Sequence, residues 1–116
     1  MSVETDFYTA ITGDVTLAAI IGTRLYPATV PDDATFPAIR YFVVDQVPSA
    51  SDGCTMTRIQ TDSFATSYAV VKSMRDGVIA LARTKVNWQF IAGSDQYDQD
   101  GELYRQIVDL MISHEV

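Results

Sequence analysis

Apolar residues recur at helical spacing near the start of the chain. Val3, Phe7, Ala10 and Ile11 fall at i, i+4, i+7 and i+8, on one helix face. Ser2 suits the N-cap and Gly13 the stop. Asp14 reads as a second N-cap, opening a short helix with Leu17, Ile20 and Ile21 turned inward and Gly22 closing it. Arg24-Leu25-Tyr26-Pro27 is a short extended piece. Residues 28–37, which include Pro31, Asp32, Asp33 and Pro37, form a loop, because proline fixes its own φ and biases the residue before it towards extended geometry.

The period then shortens to two. Ile39 to Asp45 is β-branched and aromatic with little polar interruption, as expected of a central strand covered on both faces. Val47 to Gly53, including Ser51 and Asp52, is small, polar and rich in breakers, and reads as a mobile loop. Met56 to Phe64 is a second strand. It turns Arg58, Gln60 and Asp62 one way and Ile59, Thr61 and Ser63 the other.

Ser67 caps the longest helix, over about residues 68–84. Val71, Met74, Val78 and Leu81 form its apolar stripe, with Lys72, Arg75, Asp76 and Arg83 mostly off it. Gly77 interrupts this helix at about 1 kcal/mol relative to alanine. It marks close packing against the sheet or is incidental. The last third is a hairpin. Asn87 to Tyr97 places Trp88 and Phe90 on a shared face, Asp100-Gly101 signals a turn, and Glu102 to Ser113 returns. On that return strand Tyr104, Gln106, Val108, Leu110 and Ile112 alternate with Leu103, Arg105, Ile107, Asp109 and Met111.

The expected fold class is α+β: a mostly antiparallel sheet of about four to five strands, with one long helix and two short N-terminal helices packed on one side. No repeat, low-complexity tract or linker divides the chain, so residues 1–116 are expected to be a single domain. At 47% hydrophobic and 20% charged, the chain is too apolar to be disordered.

Charge narrows the possible functions. The net charge is −7, and the eight basic residues form no run. Sequence-independent nucleic-acid binding rests on Lys and Arg neutralising phosphates, so it is not expected. An acidic surface still suits the wall of a channel that DNA passes through without sticking. Cys54 is the only cysteine, which excludes an internal disulfide and a cysteine-rich metal site and fits a reducing cytosol. The opening MSVETDFYTA has no basic stretch, so no signal peptide is expected, and no apolar run reaches the ~18 residues of a membrane span.

Catalytic equipment is not expected. The only histidine, His114, stands near a chain end that tends to fray, and reads as a plain surface residue. Cys54 reads as an unreactive thiol. The cluster Asp95, Asp98, Asp100 and Glu102 invites a calcium-loop reading. With Gly101 at the sixth position, however, Gln96 and Ile107 would stand first and twelfth, and neither suits. A solvated hairpin tip accounts for the cluster. No glycine-rich phosphate loop is present. No metal and no cofactor is expected.

One pattern carries information. Arg58-x-Gln60-x-Asp62 and Arg105-x-Ile107-x-Asp109 each place Arg and Asp four apart on one strand face. If the two strands neighbour each other antiparallel, Arg58 meets Asp109 and Arg105 meets Asp62, at roughly 0.2–1 kcal/mol per cross-strand pair. Such a face is either a solvated sheet surface or a contact with another subunit.

The order of these pieces resembles a known family. The helical pair ends near Gly22 and is followed by Arg24-Leu25-Tyr26-Pro27. Phe36-Pro37-Ala38-Ile39-Arg40-Tyr41 comes next, then Arg58-Ile59-Gln60-Thr61-Asp62-Ser63-Phe64-Ala65 and a helix, and last Tyr97-Asp98 and Tyr104-Arg105 with Asp109. Together they resemble the tail terminator, or tail completion, family of long-tailed bacteriophages and prophages, over nearly the whole chain. Thr61 and Ser63 depart from it, being polar where apolar residues are expected. The resemblance implies a structural virion protein of the tail or neck, assembled in the host bacterial cytoplasm into a homo-oligomeric ring, usually of six. The ring would cap the head-proximal end of the tail tube, stop polymerisation of the tube protein and present a surface to the head–tail connector or stopper. DNA would pass through its lumen without specific binding. Sheet edges and loops offer contact surfaces. The candidate interface residues are Arg58, Asp62, Arg105 and Asp109, with Asp32, Asp33, Ser51 and Asp52 on the loops. The competing readings are another phage neck or head-closure component and, from a different class, a small-molecule- or metal-binding domain.

Overall fold

In the computed structural model the described residues are 3–48, 54–99 and 102–115. The elements follow in the order α1 (Val3–Gly13), α2 (Val15–Ile21), β1 (Leu25–Pro27), β2 (Ala38–Pro48), β3 (Cys54–Ala65), α3 (Tyr68–Arg83), β4 (Trp88–Asp98) and β5 (Leu103–Glu115). They build an α+β fold with a five-stranded sheet in the order β1-β2-β3-β5-β4. β1 runs parallel to β2, and every other pairing is antiparallel.

The N-terminal helical pair is fixed by its ends. The Asp14 carboxylate accepts from the backbone N–H of Thr16 at 2.9 Å and of Leu17 at 3.2 Å, satisfying two of the four donors that the start of a helix leaves without partners. Gly22 closes α2 at φ 60°, a conformation that favours glycine, and its N–H reaches the Ala18 carbonyl. Arg24 adds a clasp: its Nη2 donates to the Ile20 carbonyl at 3.1 Å and its Nε to the Pro37 carbonyl at 2.8 Å. The helix end is thereby tied to the residue that leads into β2.

The helices share one side of the sheet. Phe7 of α1 packs its ring 5.1 Å from Tyr41 of β2 and 5.5 Å from Trp88 of β4. The buried cluster joins Phe7, Ile11, Leu17 and Ile21 to Val71, Met74 and Val78 of α3, and to Ile39, Ile59, Val108, Leu110 and Ile112 of the strands. Leu81, expected in the α3 stripe, is only half-buried, while Ile79 and Ala82 are buried. Ser67 takes the extended geometry of an N-cap but makes no side-chain capping bond.

Three expectations change. β2 is not covered on both faces. Ile39 and Tyr41 are buried, but Arg40, Phe42 and Val43 are half-buried and Val44 to Pro48 exposed, because no helix covers the second face. Gly77 lies against α2 rather than the sheet: a Cβ there would meet Leu17 Cδ2 at 2.8 Å. Thr57, Thr61, Ser63 and Gln106 are fully buried on the helix side, where polar residues were unexpected. Residues 49–53, which hold most of the expected mobile loop, lie outside the described residues, as do Ser2 and the Asp100-Gly101 turn.

Candidate functional site

The sheet face turned away from the helices carries most of the charged geometry. β2 offers Arg40 and Phe42, β3 Arg58, Gln60, Asp62 and Phe64, and β5 Arg105, Ile107 and Asp109. The ladder register aligns them: Asp62 stands opposite Arg40 on one side and Ile107 on the other, and Phe64 opposite Arg105.

Both sequence-predicted pairs form. Arg58 Nη2 donates to Asp109 Oδ2 at 2.6 Å, and Arg105 Nη2 to Asp62 Oδ2 at 2.8 Å. Each is a diagonal contact, two residues along from the direct partner, within reach of long side chains. The Arg58 guanidinium is held charged even more firmly than usual, first by its hydrogen bond to Asp109, then by that carboxylate's charge, with Asp45 adding to it.

Asp62 gathers more than was expected. Arg40 also bonds it, through Nη2 and through Nε at 3.0 Å, and Gln60 Nε2 donates to Oδ1 at 2.9 Å. The Asp62 side chain is 0% exposed, whereas those of Arg40 and Arg105 are 25% and 26% exposed. A buried carboxylate is costly unless paired and hydrogen-bonded, and here two guanidinium groups and an amide supply that need. Asp62 therefore orients the arginines, and the arginines meet the outside. Phe64 forms the platform beneath them, its ring centroid 5.6 Å from the Arg40 guanidinium carbon and 5.7 Å from that of Arg105. Arg105 also donates to Gln96 Oε1 on β4 at 3.1 Å, so the network spans four strands.

Arg40 is the residue that sequence reasoning left out of the site. The alternation of Ile39 and Tyr41 with Arg40 and Phe42 carried the signal. Treating the strand as covered on both faces hid it.

The loop candidates divide. Asp32 is exposed and helps line a shallow hollow with Val30, Phe36, Arg40, Phe64 and Leu103, so the loop meets the arginine face there. Asp33 is exposed and does not line that hollow. Ser51 and Asp52 lie outside the described residues. His114 is not a frayed surface residue: it lies within β5, half-buried, with Nε2 2.7 Å from Thr57 Oγ1, which also accepts from Gln46. Among the described residues no three His, Cys, Asp or Glu side chains are grouped to hold a metal ion, and no helix is long and apolar enough to cross a membrane. Asp95 instead accepts from the Tyr68 hydroxyl at 3.2 Å.

The fold and its charged face can be set beside known proteins. The model of one family, tail completion protein gp17, matches residues 5–115. The chain belongs to the tail completion protein gp17 family. Its place is thus that of a structural protein of a phage tail. A chain in the solved virion of a native gene transfer agent particle shares the fold with a TM-score of 0.67, at 12% identity over 97% of this chain and 93% of that chain. At that identity the likeness is one of fold. No curated protein matches the chain. The family resemblance read from Arg24-Leu25-Tyr26-Pro27, Phe36-Pro37 and the Arg-x-Gln-x-Asp strand therefore holds.

Proposed function

We propose that this tail completion protein forms a ring, of six copies, at the head-proximal end of the tail tube. The ring ends polymerisation of the tube protein and joins the tail to the head connector. The observation that carries the reading is the family match over residues 5–115. The whole chain, 1–116, acts as one unit in this role, assembled in the host cytoplasm, and it works by binding rather than by catalysis.

The open sheet face supports the reading. Arg40, Arg58 and Arg105 are held in place by Asp62 and Asp109 before any partner arrives, so little side-chain freedom remains to be lost on docking. Together with Asp32 and Asp33 they form a polar contact surface for a neighbouring subunit, the tube or the connector. Ser51 and Asp52 extend that candidate surface. The net charge of −7 suits a lumen through which DNA moves without being held.

The test is a tail-assembly reaction with and without the protein, read by electron microscopy. Tubes of uniform length, each with a ring at one end, are expected only when the protein is present. Tubes of unlimited length lacking any terminal ring would show the assignment to be wrong.

A further inference from the structure

The sheet ends in two free ladders at opposite sides. β4 pairs along its length with β5 and is last in the strand order. At the other side β1 covers β2 only at Ile39 to Tyr41, so among the described residues Phe42 to Pro48 has no strand beyond it. An open ladder is a template for another chain, and proteins usually blunt such edges with charges, especially lysine, with proline, with bulges or with a covering element. β4 contains no Lys, Arg or Pro, and neither does Phe42 to Val47; the charges on the two edges are Asp45, Asp95 and Asp98, and Pro48 ends the first.

Each edge is also bent by one register irregularity, between Val43 and Asp45 on β2 and between Phe90 and Ala92 on β4; such bulges turn an edge away from indiscriminate pairing, so only a strand shaped to fit continues the ladder. The residues at these points, Val44 and Ile91, are 42% and 43% exposed. Val47 adds a further exposed apolar side chain on the first edge and Tyr97 on the second. Each edge thus sets backbone without a neighbouring strand beside exposed apolar side chains.

Strand direction selects the occupant. β2 and β5 run one way, β3 and β4 the other. A second copy continuing the sheet in the same sense brings its β2 antiparallel to β4 of the first. Each copy then uses one edge and leaves the other free for the next. This is a head-to-tail contact, which generates a ring when the rotation closes.

We propose that successive copies of this chain join through β4 of one and the Phe42–Pro48 segment of β2 of the next, with Val44, Val47, Ile91 and Tyr97 at the seam. The proposal rests on the ring reading and names its contact.

The test uses full-length protein with one edge blocked at a time. One variant carries Val44→Lys and Val47→Lys, the other Gln89→Lys and Ile91→Lys, and circular dichroism checks that each is folded. Sedimentation is measured for wild type, each variant and an equal mixture, alone and with tail tubes. Wild type is expected to form closed oligomers and each variant to stay monomeric. The mixture should form dimers and nothing larger, since one good edge of each kind remains. Should a variant fail to fold, Val47→Cys with Ile91→Cys in a Cys54→Ser background replaces it. A short thiol cross-linker is then expected to give a covalent ladder of oligomers. Variants that assemble like wild type, or the absence of any ladder while wild type forms rings, overturn the seam and leave the ring standing. Wild type that stays monomeric even on tubes overturns both.

Discussion

Arg105 stands directly across the ladder from Phe64, yet its guanidinium bonds Asp62, two residues further along β3. The diagonal reach leaves the guanidinium carbon 5.7 Å from the Phe64 ring centroid. It also brings Arg105 to the carboxylate that Arg40 reaches from the opposite side. One buried carboxylate oxygen thus holds two mutually repelling cations together.

Removing that charge should matter more than removing either partner. Asp62→Asn keeps the shape but leaves two half-buried guanidinium groups without their counter-charge. Breaking a buried pair from one side costs roughly 3 kcal/mol. Urea denaturation should show a loss of that order for Asp62→Asn and a smaller one for Arg105→Ala, where Arg40 still pairs the carboxylate. An equal effect of the two would mean that Asp62 is not the centre of the network.

The contact of Gly77 with Leu17 can be weighed by a double-mutant cycle. Gly77→Ala gains about 1 kcal/mol of helix propensity but drives a methyl group into Leu17 Cδ2, and overpacking of this kind costs about 1–3 kcal/mol. The single substitution should be neutral to destabilising. In a Leu17→Ala background, where the space is open, the same substitution should stabilise. A coupling of about 1 kcal/mol or more is expected, and additive effects would show that α2 and α3 do not meet at this point.

Gln106 offers a test in the stabilising direction. It is fully buried opposite Ser63, and neither atom of its amide has a hydrogen-bond partner among the described residues. A buried polar group without a partner costs about 1–3 kcal/mol. Gln106→Met keeps a similar length and removes the need, so thermal denaturation should move to higher temperature. A fall would mean that the amide is satisfied in solution.

Stability should decline at alkaline pH through two tyrosines. Burial pushes the Tyr41 hydroxyl above its ordinary pKa, and the charge of Glu4 adds to it. Tyr68 is raised by the hydrogen bond it donates to Asp95, then by that carboxylate's charge. Both folded values therefore exceed the unfolded value near 10. Their contribution is complete below the unfolded pKa and is lost as pH rises through the folded values. Urea midpoints should fall above about pH 10, with a shallower slope in a Tyr41→Phe, Tyr68→Phe double variant.

Much of this was legible in the sequence where local chemistry decides. Asp14 as a cap, Gly22 as a stop and the period-two alternation of β3 depend on neighbours in the chain, and they are where the pattern put them. The Arg58–Asp109 and Arg105–Asp62 pairs were legible because strand alternation fixes which side chains share a face. Arg40 was not, since an apolar run says nothing about which face lacks a cover. The neighbour of Gly77 was equally hidden, because helix crossing points depend on how distant segments dock. Thr61, Ser63 and Gln106 went unread as core residues because polarity is evidence for exposure, and here packing overrules it.

β5 lies between β3 and β4, although both precede it in the chain. During synthesis, β3 and α3 therefore leave the ribosome before the strand that completes the middle of the sheet exists. β4 follows with no neighbour of its own until β5 turns back beside it. The hairpin must then insert as a unit alongside β3, a pairing between segments far apart in the chain and slow for that reason. Until it does, the edge of β3 that β5 covers in the finished sheet stands open, a template for any other strand.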